Sequence, residues 1–263
     1  MKTKTGATLG VVLKRFTRAD HSNVLLEWDR LSFARALALP APDPVALDAD
    51  GRWFGAPAIV MRRLQGRPQV SPSKLQPWLE QIAAAMVTIQ GVSAKGGPAA
   101  VRRPHKAEQW EPPVGLRRTA LVKDAIEVIE QQLPLALKGE RAFGHGDFHP
   151  GNLVWSRDRL SGVVDWSAAR VGPRAHEVAY CRADLTVLMG ADVADQFLQA
   201  YERAWGSPLG EDLWVWDLVC ALDAMRFGYL WVIAYREQGK TDLTSSNVWP
   251  RAAGLVRRAL RHT

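Results

Sequence analysis

The chain has 263 residues, 47% of them apolar and 23% charged, and carries a formal charge of +7. That composition suits one large globular domain or two modest ones and excludes disorder, collagen and coiled coil as the main architecture. The positive excess lies in residues 1–144, with 21 Lys and Arg against 13 Asp and Glu, while residues 145–263 carry 13 against 14. It is scattered in pairs such as Arg62-Arg63, Arg102-Arg103 and Arg117-Arg118 without stacking aromatics or a reading motif, which argues for phosphate handling or solubility and against nucleic acid.

Met1 to Gly6 lacks the apolar core of a signal peptide, and no apolar run reaches the roughly 20 residues that cross a bilayer. Cys181 and Cys220 stand alone, so a cytoplasmic protein with two buried thiols and no membrane partner is expected. Gly10 to Phe16 is a short β-rich run with Lys14 near its end. Asn23 to Leu39 has helical spacing, with Ser22 as N-cap and Pro40, Pro42 and Pro44 as terminators. Strands are expected around Val45 to Leu47 and Ala58 to Met61, on either side of a turn at Asp48 to Gly51, and Gln65 to Pro68 reads as a hinge. Leu75, Leu79, Ile82, Ala83, Met86 and Ile89 mark a helix, residues 91–115 a surface excursion, and Thr119 to Leu137 a second helix. Two short strands, Asn152 to Trp155 and Gly162 to Val164, flank a turn. After Pro173 about four helical segments follow, their tryptophans mostly core and their acids Asp184, Glu211, Asp212, Asp217 and Asp223 solvated.

The segment richest in chemistry is His145-Gly146-Asp147-Phe148-His149-Pro150-Gly151-Asn152, followed by Val164-Asp165-Trp166. Asp147 precedes Asn152 by five residues in a Pro-Gly loop, and Asp165 ends a strand thirteen residues later. Phosphoryl transfer needs a carboxylate near the attacking hydroxyl, with an Asn and an Asp to hold magnesium against a triphosphate. Alternating His145, Asp147 and His149 also allows a zinc hydrolase, a reading that makes no use of Pro150 to Asn152.

These residues resemble the HGDxHPGN and IDW motifs of the aminoglycoside phosphotransferase and choline kinase-like family, relatives of the protein kinases. The resemblance implies an α+β, kinase-like bilobal fold, with a shortened β-rich lobe over residues 1–64 and a mainly helical lobe over 65–263 carrying the catalytic loop and acceptor site. It implies a magnesium-dependent kinase using ATP or GTP on a hydroxyl of a small molecule, with aminoglycosides first in mind. Asp147 would be the catalytic base, Asn152 and Asp165 the magnesium ligands, and His145 and His149 the loop scaffold. Lys14 would anchor phosphate with Glu27 as its ion-pair partner. Val60, Met61 and Arg62 would bind nucleotide within a linker, Ala58 to Gly66, that pairs with adenine. Val171 to Ala179 resembles the family's GDPxxDLA segment, with Glu177 for the usual Asp.

Two features depart from the pattern. Too few residues precede Gly10 for the family's phosphate-covering loop, which leaves a nucleotide-binding scaffold as the alternative function. The Arg before Asp147 and the Ala-Pro-Glu expected of protein kinases are missing, which favours a small acceptor over a protein.

Overall fold

The computed structural model describes residues 10–17, 20–104 and 106–263. The expectations placed on Met1 to Leu9, the lack of a signal-peptide core and the short start, lie outside the described residues.

Val11–Arg15 (β1), Pro44–Asp48 (β2) and Ala58–Arg62 (β3) form an antiparallel sheet in the order β1-β3-β2. β3 takes the centre because it is the apolar strand, with Ala58 to Met61 all buried, while the edge strands are mostly half-exposed. The expected turn after β2 forms as the Asp48 carboxylate accepts the N–H groups of Arg52, Trp53 and Phe54 at 2.8–2.9 Å.

Helix α1, His21–Ala36, connects β1 to β2 and differs at both ends from its expected span. Its N-cap is Asp20, and Ser22 lies inside the first turn. It stops short of the prolines because Ala38 turns left-handed, with φ 56°. Leu39 N–H then reaches Ala34 O at 3.1 Å and Ala38 N–H reaches Arg35 O at 3.0 Å, a Schellman closure that satisfies the last carbonyls.

The expected hinge is half clamped. Arg67–Pro68 (β4) pairs with Trp155 and Val154 on Leu153–Ser156 (β6), which pairs in turn with Arg159–Val163 (β7). At Gly66 a Cβ would sit 1.8 Å from Trp155 O, so only glycine allows the approach. The crossing from one sheet to the other is therefore confined to Arg63 to Gln65.

Helix α2, Leu75–Gln90, buries the stripe its spacing announced, together with Trp78. Helix α3, Ala120–Ala136, starts where Thr119 Oγ1 accepts Val122 N–H at 3.3 Å. The intervening excursion is partly core: a 3₁₀ turn at Ala99–Arg102 buries Ala100 and Val101 completely or nearly so. Arg141–Gly144 (β5) pairs with Arg170–Pro173 (β8), two strands that sequence reasoning missed because their Gly, Pro and Arg residues break the alternation.

Four helices complete the chain as expected: α4, Arg174–Met189; α5, Ala191–Trp205; α6, Leu213–Glu237; and α7, Ser245–Ala259. α4 is buried on nearly every side, which draws charged residues into the interior. Asp184 and Asp217, read as solvated, are in fact 2% and 5% exposed. Asp217 is accounted for by Arg182, whose Nε and Nη2 donate to its two oxygens at 3.0–3.3 Å. α6 also corrects the hydropathy reading: by length and composition it is long and apolar enough to cross a bilayer. It packs against α4 and α7 instead, with 56% of its most apolar window buried.

The result is an α+β bilobal fold, an antiparallel sheet with one helix above a mainly helical body. β1, α1 and the segment after β7 meet where the two parts face each other, and the loop after β5 joins that segment.

Candidate functional site

Lys14, Glu27 and Asp165, far apart in sequence, form one cluster. The Lys14 ammonium donates to both Glu27 oxygens at 2.8 Å and to Asp165 Oδ1 at 2.9 Å. β1 supplies the lysine, the second turn of α1 the buried glutamate, and the turn after β7 the aspartate. Burial pulls the Lys14 pKa down, but Asp165 and Glu27 together hold it above its ordinary value. Asp165 is pushed up by burial yet ends below the usual carboxylate range, chiefly through Lys14. Its backbone is left-handed, φ 63° and ψ 65°, an uncommon state for a non-glycine residue that turns the carboxylate out of the strand.

Asp147 centres the second cluster. Its Oδ1 accepts the Tyr180 hydroxyl at 2.7 Å and its Oδ2 accepts Asn152 Nδ2 at 3.0 Å, while the same Nδ2 also donates to Asp147 O at 2.9 Å. Burial raises the Asp147 pKa, but the His149 ring and the Tyr180 hydrogen bond outweigh it and hold the carboxyl below its ordinary value. The group is therefore an oriented carboxylate at neutral pH.

The histidines sit behind these acids. His145 is fully buried, and its Nε2 bonds Val164 O at 2.9 Å as a donor, fixing the Nε2–H tautomer. Burial lowers its pKa, so it is neutral. Its ring lies edge-on to Trp166 with centroids 4.8 Å apart. His149 Nδ1 accepts Gly151 N–H at 3.2 Å and meets the Tyr235 hydroxyl at 3.0 Å, while Nε2 faces Asp147 Oδ2 at 3.8 Å. The Tyr235 hydroxyl also bonds Asp184, whose carboxyl burial pushes up to about 6. The two clusters are tied through Val164: its N–H donates to Asn152 O at 2.9 Å and its carbonyl takes His145.

Val60, Met61 and Arg62 lie elsewhere in the sheet lobe. They belong to β3, where Val60 and Met61 pair with Leu13 and Val12 on one edge and with Ala46 and Pro44 on the other, and Arg62 pairs with Val11. The linker expected over Ala58 to Gly66 is thus strand up to Arg62, since an apolar run of this length buries best between two neighbours. Among the described residues, no backbone–backbone hydrogen bond engages Leu64 or Gln65.

Sequence reasoning gave no place in the site to Glu177, Tyr180, Asp184 and Tyr235. Glu177 Oε1 accepts the N–H groups of His145 and Gly146 at 2.8 and 3.0 Å and so shapes the loop that carries Asp147. A Cβ at Gly144 would lie 1.7 Å from Glu177 Oε2, so that close approach requires glycine. Helical spacing was the available signal: Glu177, Tyr180 and Asp184 recur at three and four residues along α4, on the segment already singled out.

Burial pushes Glu177 up to about 7 despite its two N–H donors. A carboxyl raised on folding stabilises the fold fully below about pH 4.5, and that contribution is lost as pH rises through about 7. The loss amounts to about 3 kcal/mol at 1.36 kcal/mol per unit. Urea unfolding of the wild type between pH 4.5 and 8 should show this decline, and Glu177→Gln should flatten it. Equal pH slopes in the two proteins would remove Glu177 as the cause.

The donor set discriminates between metals. Among the described residues no group of three His, Cys, Asp or Glu side chains is arranged to hold a metal ion, so His145, Asp147 and His149 do not form the ligand set that the zinc hydrolase reading calls for. Two oxygen donors remain, Asp165 and the carbonyl end of Asn152, whose amide end is taken by Asp147. That set fits magnesium, which keeps waters and substrate phosphates as its other ligands.

The model of the phosphotransferase enzyme family (APH) matches residues 2–211. A homoserine kinase of Methylocella silvestris is 24% identical over 199 residues, 69% of this chain and 58% of the relative, so the chain spans less than two thirds of that protein. Aminoglycoside phosphotransferase APH(3'')-Id of Streptomyces rimosus, solved with ADP and streptomycin, shares the fold with a TM-score of 0.63 over 85% of this chain and 88% of that one, at 17% identity. Choline kinase LicA of Streptococcus pneumoniae does so with a TM-score of 0.60 over 96% and 85%, at 18% identity. These likenesses place the bilobal fold among the kinase-like ones.

Proposed function

This chain belongs to the phosphotransferase enzyme family, and from that premise we propose that it transfers the γ-phosphoryl group of ATP or GTP to a hydroxyl of a small molecule. The observation that carries the reading is Asp147, a carboxylate oriented on one oxygen by Tyr180 and on the other by Asn152. The acceptor's O–H proton passes to Asp147 as the oxygen bonds to phosphorus, and the bond to the β–γ bridging oxygen breaks to release the diphosphate. Asn152 and Asp165 would hold magnesium, which supplies charge neutralisation to the phosphates when bound. Lys14, fixed by Glu27, meets the phosphate oxygens, and His145 and His149 keep the loop in shape.

Residues 1–64 would anchor the nucleotide, with the base recognised where Val60, Met61 and Arg62 lead out into Leu64 and Gln65. Residues 65–263 would hold the acceptor. Trp231 stands edge-on to Tyr180 with ring centroids 6.1 Å apart, and the exposed Phe227 and Leu230 extend that wall along α6. Such a wall suits an acceptor that shows an apolar face beside its hydroxyl. Aminoglycosides, choline and homoserine are the first acceptors to try, because relatives carry those names. The cytoplasm, where magnesium nucleotides are abundant, is the expected compartment.

The test is acceptor-dependent release of ADP or GDP by the full chain over a panel of hydroxylated compounds. Phosphate should appear on the acceptor by mass. Nucleotide binding without transfer to any panel member would instead favour the scaffold.

A further inference from the structure

The pair Arg102-Arg103, noted in the sequence and unused by the proposed site, gains a setting in the fold. Lys95, Arg102, Arg103, Glu108 and Arg141 line a cavity of about 600 Å³, with Ala142 and Phe143 of β5 also in its wall. Arg141 pairs with Glu108 at 2.7 Å, so the wall carries four cationic side chains and one carboxylate.

More cationic charge lies alongside. Arg30 on α1 is buried and donates to Ala100 O at 3.1–3.2 Å and to Ser167 O, while Arg170 donates to Ala168 O at 2.9 Å and to Pro104 O at 3.2 Å. These bonds end on carbonyl oxygens, which satisfy the donors, and the charge is opposed only at a distance, by Glu27 on Arg30 and by Glu108 on Arg170. Burial first, then Arg170 and Arg103, push Arg30 down to about 10, with Glu27 opposing; burial and Arg103 lower Arg170, with Glu108 opposing. Like charges held this close cost free energy that an anion would return.

We infer that this cavity is a binding site for a small free anion of the oligophosphate class, distinct from the cleft that holds Asp147 and Asp165. Guanidinium forks match phosphate oxygens two at a time, and several are gathered here. A nucleic acid is a poorer fit, because Phe143, the aromatic ring in the wall, is 1% exposed and offers no face for a base. The position has a consequence. Arg30 is three residues beyond Glu27 on α1, and one carbonyl bonded by each of Arg30 and Arg170, those of Ser167 and Ala168, belongs to the turn that follows Asp165. An anion seated here offsets the charge of Arg103, which acts on Arg30 and Arg170 from outside the cleft. The test reads binding without turnover, so it stands or falls separately from the proposed transfer reaction.

Inorganic pyrophosphate is titrated calorimetrically into the full chain without magnesium. The wild type and Lys14→Met, whose cleft has lost its phosphate cation, should bind alike. Lys95→Glu/Arg103→Glu, both at exposed positions, should weaken binding at least tenfold, about 1.4 kcal/mol. Arg103→Gln provides a milder variant should the double change disturb folding, and it should weaken binding severalfold. Loss in Lys14→Met with the double variant unaffected would overturn the inference by placing the anion in the cleft. So would absence of binding at millimolar pyrophosphate. A single-stranded oligonucleotide that binds tenfold tighter than pyrophosphate and is lost in the double variant would overturn it in favour of a polynucleotide surface.

Discussion

Asp147→Asn should lower kcat between 10²- and 10⁴-fold while the nucleotide dissociation constant stays within about twofold, because a positioned base contributes that much and an amide accepts no hydroxyl proton. The local structure should survive the change. The introduced amide can turn its oxygen toward Asn152 Nδ2 and its nitrogen toward Tyr180, whose hydroxyl switches from donor to acceptor. Single-turnover transfer to a verified acceptor, set beside nucleotide titration, separates the two effects. A variant keeping more than about a tenth of the wild-type rate would show that Asp147 is not the base.

Asp165→Ala should act on binding as well as rate. In the wild type, magnesium should tighten nucleotide binding, and in the variant affinity should be the same with and without it. The rate at saturating nucleotide should fall about 100-fold or more, about 2.7 kcal/mol of transition-state stabilisation. Lys14 also loses one of its two acidic partners, so its ammonium is held less firmly. Alanine tolerates the left-handed backbone of position 165 poorly, at a cost of about 1–2 kcal/mol, and Asp165→Asn controls for that because asparagine adopts it readily. Magnesium-independent nucleotide affinity in the wild type would refute the assignment.

The helices and the central strand were legible in the sequence because each repeats one apolar period over enough residues to fill a face. The loop of Asp147 and Asp165 were legible for another reason: the chemistry proposed for them needs particular residue types at short spacings. What stayed hidden depends on contacts between distant segments. The charges of Asp184 and Asp217 gave no sign of burial, because their partners Tyr235 and Arg182 come from other helices. The end of α1 at Ala38 reflects a backbone turn that alanine does not advertise. β4 is too short for alternation to show, β5 and β8 have theirs broken by Gly, Pro and Arg, and all three exist because a partner strand is already in place. Tyr180, which holds one oxygen of Asp147, would have followed from asking which α4 residues share a face with Glu177.

The space above Gly144 also bears on how this sequence can change. With Glu177 Oε2 occupying the place a side chain would need, positions 144 and 177 behave as one locus. A larger residue at 144 must push the Glu177 carboxylate off the two N–H groups it accepts, or be accompanied by a shorter acid at 177 that reaches them by a shift of α4. Neither step is neutral alone, so a lineage that has settled on Gly144 with Glu177 drifts freely around the pair and rarely through it. In a library made by random substitution, tolerated changes at the two positions should therefore be found together.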